Sequence, residues 1–253
     1  MAKLSAVIIT FNEERNIGRC LESLRHIADE VVVVDSFSTD RTREICIEHG
    51  ARFEQHAFEG YIEQKNYALS RASHDFVISL DADEALSPLL AESVLKVKQS
   101  PGYDGYTMNR LTSYCGKWIR HSGWYPDTKL RLIDRRKGTW KGVNPHDKLE
   151  LVPGSTISHL KGDLLHYSYY SVEEHKRQVE KFASIAATAL FRNGTRSGIA
   201  KRIYKPAARF FKSYLLKLGF LDGREGWIIA LQTARSSYLR YTILHKLHQE
   251  KQQ

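Results

Sequence analysis

Phe76-Val77-Ile78-Ser79-Leu80-Asp81-Ala82-Asp83-Glu84 is an apolar run that stops abruptly at Asp-x-Asp. It reads as a buried strand delivering two carboxylates to its C-terminal edge, the edge where open α/β sheets collect ligands. A carboxylate pair there can hold a divalent cation, and the cation can hold a diphosphate. The same residues also read as a helix start, with Asp83-Glu84 capping a helix that enters at Ser87-Pro88.

Upstream of this run, strand-like and helix-like blocks alternate. Residues 4–10 and the Val-rich 30–35 read as strands, and 51–56 as a weaker one. Residues 14–26 put Ile17, Leu21 and Leu24 on one helical face. Residues 39–49 form a second helix, stopped by Gly50, and 61–73 a third. Continuous apolar strands separated by helices predict an α/β fold: a mostly parallel, Rossmann-like sheet with helices on both faces.

Beyond residue 103 the texture changes. Residues 106–111 and 129–134 read as strands, and 164–170 close this region. Residues 114–127 and 138–151 read as loops, the latter holding Gly142, Asn144-Pro145 and His146-Asp147. Residues 171–191 open with a capping-box pattern, Ser171-Val172-Glu173-Glu174. Residues 206–218 read as a helix with Pro206 in its first turn and Gly219 beyond its end. Residues 225–247 read as the last helix. The predicted organisation is one domain over 1–170, in two halves, 1–100 and 101–170. A basic helical C-terminal region follows over 171–253.

The chain of 253 residues carries a formal charge of +9, concentrated at the end. Residues 200–253 hold 11 Lys and Arg against 3 Asp and Glu, and the rest is close to neutral. A basic segment on a neutral body predicts an anionic surface as partner, lipid head groups or nucleic acid. Three widely spaced cysteines predict reduced thiols in a cytosolic compartment. No stretch of the sequence reads as a signal peptide or as a run long enough to span a bilayer.

Two other strand ends carry polar clusters at the same edge: Thr10-Phe11-Asn12-Glu13-Glu14 and Val34-Asp35-Ser36-Phe37-Ser38-Thr39-Asp40. Neither a Walker loop nor a G-x-G-x-x-G dinucleotide turn is present. Helix capping accounts for part of Ser38-Thr39-Asp40, but not for Asp35 at the end of a Val run.

These segments, with Gln64-Lys65-Asn66, Trp124-Tyr125-Pro126-Asp127, Arg131-Leu132 and His146-Asp147, resemble the family 2 glycosyltransferases of GT-A fold. The nearest resemblance is to bacterial lipopolysaccharide-core β-1,4-glucosyltransferases. It extends through Leu165-His166-Tyr167-Ser168 and Gly219-Phe220-Leu221-Asp222-Gly223, nearly the whole chain.

The resemblance implies an inverting transfer from a nucleotide-sugar donor, a UDP-linked hexose, to a lipopolysaccharide or lipooligosaccharide core. Thr10, Phe11 and Glu13 would line the nucleoside pocket, and Asp35 would accept a hydrogen bond from the base. Lys65 would sit near the diphosphate. Asp81 and Asp83 would serve the ribose and a Mg²⁺ or Mn²⁺ ion, Asp83 being the stronger metal candidate. Asp147 would be the general base, in a place where related members carry Glu; an Asn144-Pro145 turn with a solvated Asp is the plainer reading. Ser36-Phe37 departs from an Asp-Gly found in many members.

His146, Arg131 and His166 are further site candidates, and His166 reads equally as a buried core histidine. Trp124 and Tyr125 read either as an acceptor platform or as core. Two other functions fit these residues: transfer to another glycolipid or polyprenyl-linked glycan, and a non-catalytic nucleotide-sugar-binding scaffold. The expected location is cytoplasmic, peripheral on the inner face of the membrane through 200–253. The expected partners are the donor, a lipid-linked glycan acceptor and the anionic leaflet. No nucleic-acid motif is present, and no nucleic-acid partner is expected.

Overall fold

The computed structural model describes residues 1–143, 146–196 and 198–250, the side chains of His146 and Ile199 excepted. The chain forms two compact units. One comprises Met1–Arg110 and Asp127–Tyr167, the other Leu111–Pro126 and Ser168–Gln253.

The chain begins β1 (Leu4–Thr10), α1 (Ile17–Leu24), β2 (Glu30–Asp35), α2 (Thr42–Glu48), β3 (Arg52–Gln55), α3 (Tyr61–Arg71), β4 (Phe76–Asp81), β5 (Glu84–Leu86) and α4 (Pro88–Gln99). It continues through β6 (Gly105–Tyr114), β7 (Lys117–Ile119), β8 (Asp127–Asp134), β9 (Gly138–Val143), β10 (His146–Leu151) and β11 (Ile157–Tyr169). The main sheet runs β3-β2-β1-β4-β8-β6-β11-β5, with β7 paired to β6. Pairing is parallel among β1 to β4. Strand β8 joins β4 and β6 antiparallel, and β5 joins β11 antiparallel. The antiparallel pairings of β8 interrupt the parallel order of the first four strands.

Alternation along the strands divides the core into two layers. Ile8, Val33, Ile78 and Leu80 pack against Ile17, Leu21 and Leu24 of α1 and Leu90 and Val94 of α4. Val7, Val32, Val34 and Val77 face the other way, onto Ala68 and Leu69 of α3 and onto Trp140 and Leu149. Helices thus cover both faces. Gly162, at φ +96°, is required where β11 crosses the start of α4: a Cβ there would lie 2.3 Å from the Leu90 backbone nitrogen.

Three local expectations change. Asp83-Glu84 do not cap α4; Ser87 does, accepting a hydrogen bond from Leu90 N at 3.3 Å, with Pro88 at the first helical position. Residues 138–143 and 146–151, in a stretch expected as a loop, are the antiparallel strands β9 and β10, in which Trp140 pairs with Leu149. One buried side chain per strand is too sparse to show a period of two. Pro206, expected in a first turn, lies inside α6 (Ile199–Phe211), which continues as a π turn over Lys212–Leu216.

In the second unit α5 (Val172–Arg192) starts with the expected capping box, Ser171 and Glu174. A 3-10 turn (Gly219–Asp222) leads into α7 (Gly223–Glu250), which packs on α5 and α6. Buried Asp222 accepts hydrogen bonds from Arg120 N at 3.3 Å and His121 N at 3.0 Å, tying residues 120–122 to the helices. Among the described residues no helix is long and apolar enough to cross a membrane.

Candidate active site

The register of the parallel strands places Thr10 opposite Asp35 and Ile9 opposite Asp81, so three strand ends share one edge. The first two are laced together. Asn12 N donates to Ser38 Oγ at 2.7 Å, and Thr39 N donates to Asn12 Oδ1 at 2.8 Å. Glu13 N donates to Thr42 Oγ1 at 2.8 Å. Asp35 is fully buried, and its carboxylate accepts from Ser38 N at 2.8 Å and from the Ser38 hydroxyl. Ser38 therefore braces Asp35 rather than capping α2, which has no side-chain cap.

Around this lattice two aromatic rings stand in solvent, Phe11 and Phe37. Asn12 and Phe37 both have positive φ, 53° and 63°. Asn tolerates that conformation, but Phe does so only at a cost, so the loop is held in shape by its hydrogen bonds. Thr10 Oγ1 is buried and has no hydrogen-bond partner among the described residues. Burial pushes the Glu13 carboxyl up to about 6; an Asn16 hydrogen bond opposes this, and Asp83, Asp40 and Asp81 add to it.

The third strand end carries a charge network. Lys65, on α3 and almost fully buried, donates to Asp81 Oδ1 at 2.9 Å and to Asp147 Oδ2 at 2.8 Å. Its ammonium lies 4.3 Å from the Trp140 ring centroid. Arg131, on β8, donates through Nη2 to Asp81 Oδ2 at 3.1 Å and Glu84 Oε1 at 2.8 Å. Glu84 has no exposure and also accepts from Arg110 at 3.4 Å. Burial alone would raise the Asp81 pKa, but Lys65 and Arg131 overcome it and hold the carboxyl well below the usual range.

Asp83 looks the other way. Its Oδ2 lies 3.1 Å from His166 Nε2, and its carbonyl accepts from Tyr167 N at 2.9 Å. Antiparallel pairing sets His166 opposite Glu84, which fixes the histidine beside the Asp-x-Asp turn. Among the described residues no group of three or more His, Cys, Asp or Glu forms a self-sufficient metal cage. An oxygen and a nitrogen at this spacing do suit a cation that takes its remaining ligands from a diphosphate.

The structure thus gathers Thr10, Phe11, Glu13, Asp35, Lys65, Asp81, Asp83, Arg131, Asp147 and His166 in the first unit. Trp124 and Tyr125 belong to the second, where Trp124 packs edge-on against Tyr114 at 5.8 Å and beside Tyr169. The His146 side chain lies outside the described residues. Glu84, Trp140 and Phe37 are the participants that sequence reading passes over. Glu84 follows the Asp-x-Asp directly, and an acidic residue opening a buried three-residue strand was the available signal.

The sequence model of glycosyl transferase family 2 matches residues 5–149, more than half of the chain and every residue of the charge network. The chain belongs to glycosyltransferase family 2. It is 30% identical to the lipopolysaccharide core biosynthesis glycosyltransferase LpsC of Rhizobium meliloti, over 95% of this chain and 93% of that one. It is 29% identical to an uncharacterized glycosyltransferase of Rickettsia typhi, over 98% and 88%. Among solved structures it is similar to S. aureus TarS in complex with UDP, with TM-score 0.46 and 16% identity over 98% and 92% of the two chains. It also matches glucosyl-3-phosphoglycerate synthase from Mycobacterium tuberculosis in complex with Mn²⁺ and UDP, with TM-score 0.38 and 25% identity; that match spans 44% of each chain.

Proposed function

We propose that this family 2 member is an inverting hexosyltransferase that takes its sugar from a UDP-linked donor, with Asp147 as general base. The observation that carries this reading is the pair of hydrogen bonds from Lys65, which ties the Asp-x-Asp carboxylate Asp81 to Asp147 on a different strand. A binding protein needs a cation near a diphosphate. It has no need of a separate carboxylate held beside it.

In this reading the lattice of Thr10, Glu13 and Asp35 receives the nucleoside, with the exposed Phe11 ring against the base. Lys65 faces the diphosphate. Asp83 and His166 would hold Mg²⁺ or Mn²⁺, which neutralises charge on the departing diphosphate when bound. Arg131 fixes Asp81 from behind and keeps it ionised. Asp147 takes the proton of the acceptor hydroxyl as that oxygen attacks the sugar carbon, on the face opposite the leaving group. The Lys65 ammonium holds the Asp147 carboxylate in place at 2.8 Å.

The acceptor we infer is a lipopolysaccharide or lipooligosaccharide core, met on the cytoplasmic face of the membrane; the R. meliloti relative is named for lipopolysaccharide core biosynthesis. A membrane contact through 200–253 is supported by its basic charge and by the exposed side chains of Ile203, Tyr204, Phe211, Leu215 and Leu216. The test is a donor panel: UDP-sugars titrated with and without Mn²⁺, reading binding and slow hydrolysis. Saturable UDP-sugar binding with hydrolysis that Asp147→Asn removes supports the transferase. Binding with no turnover on any donor, in either metal condition, points to a scaffold.

A further inference from the structure

The second unit has a cavity of its own, about 190 Å³. Its floor is α7, from which Gln232, Ser236 and Arg240 project at steps of four residues. That face of a helix packed on two others is ordinarily apolar. Its walls include the Trp124 indole and Arg209 of α6.

Two of the polar groups lining it are not satisfied by the protein. Gln232 is 8% exposed, and its Oε1 has no hydrogen-bond partner among the described residues. Arg240 Nε is buried and equally without one. Among the described residues neither Arg209 nor Arg240 has a carboxylate within ion-pair distance. Arg235 on the same helix is paired with Glu180 at 2.6 Å. Buried polar atoms in folded proteins nearly always have partners, so this set marks a place meant for something else.

The chemistry that completes it is specific. Two guanidinium groups ask for an anion, which Arg can grip in bidentate fashion. An amide oxygen asks for a hydroxyl or water donor. The space, equivalent to about six water molecules, suits one pyranose ring with its substituent. We propose that this cavity binds an anionic hexose, one bearing a phosphate or a carboxylate. The anion lies between Arg209 and Arg240, a hydroxyl donates to Gln232 Oε1, and the ring sits beside Trp124. Taken as recognition of an acidic sugar within the acceptor, the site rests on the transferase reading above; the binding itself does not.

Calorimetric titration of the full chain without donor tests it, with glucose 6-phosphate, glucuronate, glucose and inorganic phosphate as probes. At least one acidic sugar binds saturably, about tenfold or more tighter than glucose and than inorganic phosphate. Comparing the two acidic sugars tells phosphate from carboxylate. Arg240→Gln and Gln232→Leu each weaken that binding about tenfold, while Lys212→Glu leaves it unchanged. The indole N–H resonance of Trp124, assigned with Trp124→Phe, shifts on titration of the native chain and locates the ligand even where a variant fails to fold. No saturable binding of either acidic sugar, or no shift at Trp124, overturns the proposal. Equal affinity for inorganic phosphate reduces the cavity to a bare anion site and overturns it too. Acidic-sugar binding together with no transfer on any donor sinks only the transferase reading.

Discussion

Lys65 Nζ lies 2.8 Å from Asp147 Oδ2, an ion pair between α3 and the β9–β10 pair across 82 residues of sequence. The two residues have separable expected roles. Asp147→Asn should lower transfer about 10²- to 10⁴-fold, the usual worth of a general base, and leave donor affinity unchanged. Lys65→Met should lose donor affinity as well as turnover if, as proposed, its ammonium faces the diphosphate. Isothermal titration with a UDP-sugar, beside steady-state rates, separates the two. A fully active Asp147→Asn variant would remove Asp147 from the mechanism.

Arg131 carries a structural prediction. Its guanidinium is 4% exposed and is shared by Asp81 and Glu84, the latter with no exposure at all. Arg131→Met strips Glu84 of its shorter ion pair and should cost about 3–5 kcal/mol, as breaking buried pairs does. Adding Glu84→Gln should recover part of that loss, since the buried charge goes with its partner. Urea melts of the single and double variants decide it. A loss below about 1 kcal/mol for Arg131→Met would mean that the pair is solvated.

The parallel half was legible because buried strands and amphipathic helices write their own periods into the chain. The carboxylates at its edge were legible because each stands at the end of an apolar run. What could not be read is where 111–126 packs, since its partner Asp222 is a hundred residues away and nothing local encodes that bond. The β9–β10 pair escaped because Trp140 and Leu149 are its only buried side chains among the described residues of those strands. The bond from Lys65 to Asp147 is tertiary for the same reason: both residues were singled out, but only the fold brings them together.

Asp83 tests the metal. With His166 Nε2 at 3.1 Å it offers one oxygen and one nitrogen and leaves most of the coordination to substrate. Asp83→Ala should abolish metal-stimulated donor binding, and EDTA should reproduce the effect on the wild type. His166→Ala should weaken Mn²⁺ dependence without removing it, because one protein ligand remains. Donor affinity and turnover that are indifferent to EDTA would dismiss the metal from the reaction.

His175 should make the second unit acid-sensitive. Its ring is buried against Tyr169 at 4.6 Å, with Nδ1 3.1 Å from the Tyr114 hydroxyl, and burial pushes its pKa down to about 4. The unfolded chain has the ordinary value of about 6.5 and so binds the proton first as pH falls. Stability is therefore undiminished by this group above about pH 6.5 and falls progressively below it, the loss reaching about 3 kcal/mol at pH 4. His175→Gln keeps a partner for Tyr114 and should flatten the slope of stability with pH between 4 and 6.5. An unaltered slope in urea melts of that variant would assign the titration elsewhere.

The C-terminal helices should bind anionic membranes. Phe210, Tyr214 and Trp227 pack on one another at 5.1–5.6 Å. Phe211, Leu215 and Leu216 are exposed beside exposed Lys212 and Lys217. Apolar side chains flanked by cations are what an interfacial helix presents, and each Lys or Arg near an anionic leaflet contributes about 1 kcal/mol. Lys212→Glu with Leu216→Ser should reduce co-sedimentation with phosphatidylglycerol vesicles about tenfold or more and leave UDP-sugar affinity unchanged. Raising the salt should weaken wild-type binding, because surface charges are screened over about 8 Å at physiological ionic strength. Equal partitioning of variant and wild type at low salt would leave these side chains without a lipid role.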